Sequence, residues 1–193
     1  MENCIVGNLQ ESLKLHSNIL HDNNFIRGVI QAADSIISSL KDGGKIIVAG
    51  NGGSAADAQH FTAEIVGRYQ RERKGLPAIA ITTNSSLITA LANDFSFEML
   101  FARQIEALAN EEDVFVGITT SGNSPNIIEA FVQSREIGVK SIGLLGRDGG
   151  KALEMCDIPI VVPHARTARI QEIHILVIHA MCDVIDRFNG EIG

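Results

Sequence analysis

Apolar residues recur at helical spacing in two segments at the start of the chain. In residues 3–20 the apolar positions fall at steps of three and four, which fits an amphipathic helix. They are Ile5, Leu9, Leu13, His16 and Leu20. Residues 24–41 repeat the pattern with a wider apolar face, and Gly43-Gly44 then stops the helix. Two helices ahead of any strand either pack on the protein's own core or form an interface between subunits, and the pattern leaves both interpretations open.

Beyond residue 44 the pattern changes to short, β-branched apolar runs bounded by Gly, Pro or Asp. Near-continuous apolar strands that alternate with helices indicate a parallel sheet covered on both faces. The predicted strands are 45–49, 78–82, 114–118, 141–145 and 158–162. The predicted fold is therefore an open, doubly wound α/β structure with a five-stranded parallel sheet, and ligands are expected beyond the carboxyl ends of its strands.

Helical patterns occupy the segments between the predicted strands. The expected helices are 54–69, 95–108 and 124–137, with shorter ones near Ser86 and Gly150. The final helix, 167–188, is expected to be the longest and to bury one stripe, namely Ile170, Ile173, Val177, Met181, Val184 and Phe188. We expect residues 1–193 to form one domain, with helices over 1–42 and the α/β core over 43–193.

Composition narrows the class of protein. The 193 residues are 45% apolar and 20% charged, with a net charge of −7, which argues against a nucleic-acid-binding surface. Three widely separated cysteines with no CxxC pair indicate reduced thiols. The N-terminus lacks the pattern of a signal peptide, and no apolar run approaches the ~18 residues of a membrane helix. We therefore expect a soluble, cytoplasmic protein with no membrane partner.

A glycine-rich turn follows the first predicted strand and leads directly into a helix. The turn reads Gly50-Asn51-Gly52-Gly53-Ser54, and a strand, a glycine turn and a helix N-terminus in that order favour an anion site. The turn formally matches the dinucleotide fingerprint, but the next strand ends without the carboxylate that the ribose requires, and no lysine completes a P-loop. The simpler alternative is a tight turn that only needs glycine.

A second donor-rich loop follows the third predicted strand. It reads Thr119-Thr120-Ser121-Gly122-Asn123-Ser124, and Pro125 then stands at the first position of a helix. Neutral hydroxyl donors at a helix N-terminus suit a sugar phosphate, whereas the simpler alternative makes Ser124 a helix cap only. Asn93-Asp94, after the second strand, would either bind sugar hydroxyls or make a turn.

Two helices carry candidate metal ligands. His60 and Glu64 are four residues apart and share a helix face with Asp57, while Gln171 and His179 lie about two turns apart on the last helix. Together His60, Glu64, Gln171 and His179 would make a mixed nitrogen and oxygen site of the kind that Zn²⁺ accepts. Spacing alone does not show that the two helices meet.

These motifs resemble those of the sugar isomerase (SIS) domain and, within that superfamily, of the phosphoheptose isomerase family. The resemblance extends from the two leading helices through both loops to Arg169-Ile-Gln-Glu-Ile-His174 and the last helix. It implies a flavodoxin-like α/β fold and a homotetramer with active sites at subunit interfaces. It also implies conversion of sedoheptulose 7-phosphate to D-glycero-D-manno-heptose 7-phosphate, for ADP-heptose, lipopolysaccharide or capsule synthesis.

The resemblance also implies roles for individual residues. One Zn²⁺ per subunit would be held by His60, Glu64, Gln171 and His179, and Glu64 and His179 would be catalytic. Substrate contacts would fall on Asn51, Gly52, Gly53, Ser54, Glu64, Asn93, Asp94, Thr119, Thr120, Ser121, Ser124 and Gln171. Ala168 departs from an acidic residue found in some members, which leaves the role of that carboxylate open.

Residue chemistry suggests a catalytic mechanism, and a second resemblance suggests an alternative function. Glu64 would take a carbon-bound proton and His179 an oxygen-bound one on the way through an enediolate, while Arg68 would either offset local negative charge or be solvated. The rival is a non-catalytic SIS tetramer that binds the bacterial replication initiator, which residues such as Thr167–Glu172 also resemble. Those relatives lack the equivalents of Glu64 and His179, so the presence of both favours the enzyme.

Overall fold

The computed structural model describes residues 1–188, so residues 189–193 at the end of the predicted domain lie outside it. The strands are β1 (Ile46–Gly50), β2 (Ala78–Ala80), β3 (Val114–Thr119), β4 (Lys140–Gly146) and β5 (Ile158–Val162). The helices are α1 (Glu2–Leu20), α2 (Asn23–Lys41), α3 (Gly53–Val66), α4 (Ser85–Asp94), α5 (Ala102–Leu108), α6 (Pro125–Glu136) and α7 (Thr167–Phe188). A 3₁₀ helix covers Gly150–Glu154. None of the helices in the described part of the chain is long and apolar enough to cross a membrane.

The five strands form one parallel sheet in the order β2-β1-β3-β4-β5. Val48 in β1 pairs with Ala80 on one side and with Val116 on the other. The predicted doubly wound, five-stranded fold is therefore confirmed. The direction of strand succession reverses between β1 and β3, and ligands of such sheets bind outside the carboxyl ends of the strands at this reversal. Both donor-rich loops begin there.

Alternate residues of the strands feed two separate apolar layers. In β1, Ile46 and Val48 pack under α1, α2, α3 and α7, whereas Ile47 and Ala49 pack under α4, α5, α6 and the 3₁₀ helix. Successive side chains of a strand point to opposite faces, so a continuous apolar run serves both layers at once. The helices α3 and α7, which carry the candidate ligands, lie on the same face of the sheet.

Two predicted helix boundaries are wrong, and one short helix is longer than expected. The helix expected over 95–108 begins only at Ala102, because Met99 N–H bonds to Ser96 O in a tight turn instead of continuing a helical ladder. The short helix expected near Ser86 is a ten-residue helix, α4, and Asn93 and Asp94, for which a turn was one of the two interpretations, are its last two residues. The helix expected over 54–69 ends at Val66, where Gly67 caps it.

Burial of the terminal helices also departs from expectation. Of the stripe predicted for α1, the residues Ile5, Leu9, Leu13 and Leu20 are exposed, and the helix packs on the core through Leu15 and Ile19 instead. On α7 the predicted stripe is buried from Ile170 to Met181, but Phe188 at its end is exposed. The apolar face of α1 therefore has no cover within the described chain.

Candidate active site

The two donor-rich loops are joined by a pair of side-chain amides. Asn51 follows β1, and Asn126 lies in the first turn of α6, which follows β3. Nδ2 of Asn51 donates to Oδ1 of Asn126 at 2.9 Å, and Nδ2 of Asn126 donates to Oδ1 of Asn51 at 3.0 Å. Because Asn126 is buried, turning either amide group would break a buried hydrogen bond.

Hydroxyl groups of the second loop bond to one another. Oγ1 of Thr119 lies 2.9 Å from Oγ of Ser124 and 3.4 Å from Oγ of Ser121. Ser124 occupies the N-cap position of α6, but its side chain makes no cap hydrogen bond. The interpretation of Ser124 as a helix cap only is therefore wrong, because its hydroxyl is directed to Thr119 instead.

The glycine turn after β1 lies directly against α7. Gly52 has φ of +56°, a conformation that favours glycine. A Cβ atom at Gly53 would lie 2.3 Å from Nε2 of Gln171, so the absence of a side chain lets the Gln171 amide reach the start of α3. Ser54, the next residue, is buried in the first turn of α3. The structure thus brings Gln171 to the loop rather than leaving it on a separate face.

The helices α3 and α7 meet at three of the four predicted metal ligands. Nε2 of His60 lies 3.1 Å from Oε1 of Glu64 and 3.2 Å from Nε2 of His179. The side chains of His60 and Glu64 are 43% and 26% exposed, so the cluster opens to solvent on one side. Spacing along the sequence could not establish this meeting, because His60 and His179 are 119 residues apart.

The contacts around His60 need more protons than one ring nitrogen supplies. If Nε2 of His60 carries a hydrogen, it can donate well to Glu64 or to His179 but not to both, whereas a cation among the three atoms would take one lone pair from each. The described residues hold no group of three His, Cys, Asp or Glu side chains already spaced around a common point as metal ligands. Binding would therefore require the side chains to turn out of their hydrogen-bonded chain.

Asp57 adds a further charge one turn before His60. Its Oδ2 is buried and has no hydrogen-bond partner among the described residues. Burial raises the pKa of the Asp57 carboxyl above its usual range, while the nearby His60 acts in the opposite direction. The negative charge of the Asp57 carboxylate would therefore be better stabilised if His60 carried a positive charge.

Within the described chain, none of the remaining candidate residues is hydrogen-bonded to this cluster. Asn93 and Asp94 are exposed at the end of α4, and Asn93 Nδ2 donates to Asp94 Oδ1 at 2.8 Å. Thr120 lies half-buried at the start of the second loop. Arg68 stands beyond the end of α3 and forms an exposed ion pair with Glu72, which favours the solvated interpretation over neutralisation of Glu64.

Two residues of the candidate site were not predicted from the sequence. The ring of Tyr69 stacks on that of His179, with centroids 5.8 Å apart and an interplanar angle of 27°. Asn126 holds the two loops together, as described above. The sequence signals were slight: Tyr69 is the single tyrosine of the chain, and Asn126 follows Pro125 in the first turn of a helix.

A separate cleft of about 770 Å³ opens beside the second loop, at the carboxyl ends of β4 and β5. Asn123 of the loop forms one wall, and Arg147 and His164 contribute to the others. Arg147 is a non-glycine residue with φ of +60°. The cleft therefore carries charged groups of both signs, because Asp148 lines it together with Arg147.

Comparison with known proteins identifies relatives that match most of the chain. The family model of the SIS domain matches residues 14–146. A phosphoheptose isomerase of Helicobacter hepaticus is 56% identical over 84% of this chain and 83% of its own length. One of Campylobacter jejuni is 48% identical over 94% of this chain and 98% of its own length. The structure of the phosphoheptose isomerase GmhA of Neisseria gonorrhoeae superposes with a TM-score of 0.91 at 45% identity, covering 96% of this chain and 98% of that one.

Proposed function

The chain belongs to the SIS-domain family and, within it, to the phosphoheptose isomerases, and we propose on that basis that it interconverts sedoheptulose 7-phosphate and D-glycero-D-manno-heptose 7-phosphate. The reaction is an aldose–ketose isomerisation. The comparisons give no support to the alternative of a non-catalytic tetramer that binds the replication initiator.

One observation carries the proposal: a carboxylate and two imidazoles converge where α3, which begins at the first donor loop, meets α7. Glu64, His60 and His179 lie within 3.1–3.2 Å of their neighbours. Such an isomerisation needs a base at carbon, an acid at oxygen and stabilisation of an oxyanion. The carboxylate and the two imidazoles of the cluster offer a group for each of these tasks.

The second loop suits the phosphate of the substrate. Its hydroxyls at Thr119, Ser121 and Ser124 form a connected set, and the N-terminus of α6 adds backbone donors and partial positive charge. The first loop, held to α6 through Asn51 and Asn126, lies next to it. We assign the phosphate to the second loop and the carbon chain to the space between the first loop and α7.

Proton transfer between adjacent carbons would be divided between two residues. Glu64 removes the proton from C1 of the ketose and returns it to C2 of the enediolate, while His179 moves a proton between O1 and O2. No atoms are gained or lost overall. His60, which contacts both side chains, orients them relative to each other.

The donor set also supports a metal ion. His60, Glu64, His179 and Gln171 would hold Zn²⁺, because two imidazoles, a carboxylate and an amide oxygen suit that ion. When bound, Zn²⁺ would supply a Lewis acid that polarises the substrate carbonyl. The shortage of protons around His60 supports this assignment.

Exposed apolar surface supports assembly into a homotetramer with active sites between subunits. The outer face of α1 carries Ile5, Leu9 and Leu13, and α2 adds Ile26 and Ile30. Contiguous exposed apolar patches mark interaction surfaces. A neighbouring subunit would also cover the open side of the His60 cluster and exclude water from the enediolate.

Because Cys4, Cys156 and Cys182 are all unpaired, the reducing cytoplasm is the compartment we propose.

An activity assay with the proposed substrate tests this function. Purified protein is incubated with sedoheptulose 7-phosphate, with and without added Zn²⁺, and the aldose product is followed by NMR. Appearance of D-glycero-D-manno-heptose 7-phosphate would support the proposal. A lack of product in both conditions would overturn it.

A further inference from the structure

A buried ion pair ties α7 to the segment that follows α3. The side chains of Arg73 and Asp186 are each 1% exposed, and Nε of Arg73 donates to Oδ1 of Asp186 at 2.6 Å. Oδ2 of Asp186 accepts hydrogen bonds from the backbone N–H groups of Gln70 and Arg71 at 2.8 and 2.9 Å. One carboxylate thus holds a side chain and two consecutive backbone amides of residues 68–73.

The same arginine closes the end of α3. Nη2 of Arg73 donates to the carbonyl oxygen of Glu64 at 2.7 Å, and Nη1 donates to that of Ile65 at 2.8 Å. The last carbonyl groups of a helix have no partner within the helix, so an arginine there fixes the final turn. That turn carries the Glu64 side chain.

Tyr69 connects this segment to the second candidate catalytic group. It directly precedes Gln70, whose N–H bonds to Asp186, and its ring stacks on His179 with centroids 5.8 Å apart. Asp186 itself lies seven residues after His179, about two turns along the same helix. The ion pair therefore holds the backbone next to Tyr69 in place, and with it the Tyr69 ring against the His179 ring.

We propose that Arg73 and Asp186 are positioning residues for the isomerisation, which fix the backbone of Glu64 directly and the ring of His179 through Tyr69. The inference rests on the proposed function for its catalytic consequence but not for its geometric one. A base and an acid that act on adjacent atoms need positions held to within a fraction of an ångström, and misplacement by about 1 Å costs on the order of 100-fold in rate. Neither Arg73 nor Asp186 touches the substrate in this arrangement.

A matched ion pair elsewhere provides the control. Lys45 Nζ donates to Oδ2 of Asp113 at 2.6 Å, and Asp113, which is 2% exposed, also accepts from the backbone N–H groups of Lys45 and Asn110. This pair joins the amino ends of β1 and β3, whereas the donor loops follow the carboxyl ends of the same strands. Its loss would destabilise the fold without reaching α3 or α7 near His179.

The experiment compares Asp186→Asn with Asp113→Asn in the full-length chain. For Asp186→Asn we expect kcat to fall at least tenfold while KM stays within about threefold; for Asp113→Asn we expect both constants within about twofold of the original. Tyr69→Leu, which keeps the ion pair but removes the stacked ring, should also lower kcat. Equal kcat values for Asp186→Asn and Asp113→Asn would overturn the proposal.

A spectroscopic measurement separates this inference from the proposed function. The chain has one tyrosine and no tryptophan, so its intrinsic fluorescence reports on Tyr69 alone. Asp186→Asn should raise the quenching of that fluorescence by acrylamide and remove the NOE between the Tyr69 and His179 rings, whereas Asp113→Asn should change neither. If the original protein shows no isomerase activity, the proposed function fails, while this pair of measurements still decides whether the ion pair positions Tyr69.

Should Asp186→Asn fail to fold, Arg73→Lys takes its place. Lysine keeps the charge but cannot bond to Asp186, Glu64 and Ile65 at once, because it lacks the planar fork of the guanidinium. The same fall in kcat and the same change in Tyr69 quenching are expected. An unchanged kcat together with unchanged quenching in Arg73→Lys would equally refute the positioning role.

Discussion

Asn51 and Asn126 exchange two hydrogen bonds through their side-chain amides, at 2.9 and 3.0 Å. This reciprocal pair spans the reversal of strand order between β1 and β3. It fixes the distance between the glycine turn and the N-terminus of α6. The two loops proposed to bind a single sugar phosphate are therefore held as one unit.

Removal of Asn126 should weaken substrate binding without removing a proposed substrate contact. In Asn126→Ala the amide of Asn51 loses both bonds, which we expect to lower the free energy of unfolding by about 1–3 kcal/mol. Because the loops are then no longer joined, KM should rise about tenfold with a smaller change in kcat. Steady-state kinetics and urea denaturation check the two effects, with the exposed Asn110→Ala as control. Loss of stability with an unchanged KM would show that the pair serves folding alone.

The strands and most helices could be predicted because their signals are local. The apolar runs at β1, β3 and β4 need only their own residues to show that both faces are buried. The break at Phe95–Phe101 was missed because its apolar residues imitate a helix, although Phe95 and Phe97 are exposed while Leu100 and Phe101 are buried. Local periodicity cannot show which of these side chains the rest of the chain will cover.

The site was predictable in its components but not in its assembly. The spacing of His60 and Glu64 fixes a shared face of α3, yet only packing of α3 on α7 brings His179 within 3.2 Å of His60. The roles of Tyr69, Arg73 and Asp186 depend on contacts across more than 100 residues. Exposure of the α1 stripe likewise depends on the way α1 docks, which the pattern left open between core and interface.

Replacement of Glu64 tests the proposed base. Glu64→Gln keeps the shape and one hydrogen-bonding oxygen but cannot accept a carbon-bound proton, so we expect kcat to fall by about 10²–10⁴. Substrate affinity, measured by calorimetry, should stay within a few-fold. Glu111→Gln, in the exposed loop before β3, is the matched control and should retain full activity. Full activity in Glu64→Gln would refute its role as base.

Removal of metal tests the donor set. Treatment with a chelator should abolish turnover, and added Zn²⁺ should restore it, with about one zinc per subunit by elemental analysis. In His60→Ala the zinc content should fall, because His60 contacts both Glu64 and His179. Full activity in protein shown to be free of metal would remove Zn²⁺ from the mechanism.

A methyl group at Gly53 should displace Gln171. The Cβ of Gly53→Ala would lie 2.3 Å from Nε2 of Gln171, but the amide is the flexible end of its side chain and can move away at small cost in stability. We expect the melting temperature to change little while kcat falls about tenfold or more. Gly7→Ala in α1, where a Cβ meets nothing within 4 Å, should stabilise the helix by about 0.5–1 kcal/mol. If Gly53→Ala kept full activity, contact between Gln171 and the first loop would be unnecessary for catalysis.

His174 gives the folded protein a defined dependence on pH. It is fully buried in α7, and its Nε2 lies 3.1 Å from the carbonyl oxygen of Leu145. Burial lowers its pKa from 6.5 to about 4, although the Leu145 contact acts in the opposite direction. Above pH 6.5 the imidazole is neutral in both states. Between about pH 6.5 and 4 the unfolded chain binds a proton that the folded chain does not, so stability falls as the pH falls.

The expected size of this effect is roughly 2 kcal/mol between pH 7 and pH 5, at about 1.4 kcal/mol for each pH unit below 6.5. Urea denaturation at the two pH values measures it in the original protein and in His174→Gln. Glutamine can still donate to Leu145 but does not titrate, so the variant should lose less stability on acidification even if it is less stable at pH 7. Equal losses in the two proteins would mean that other groups account for the acid sensitivity, and that His174 binds its proton equally well in both states.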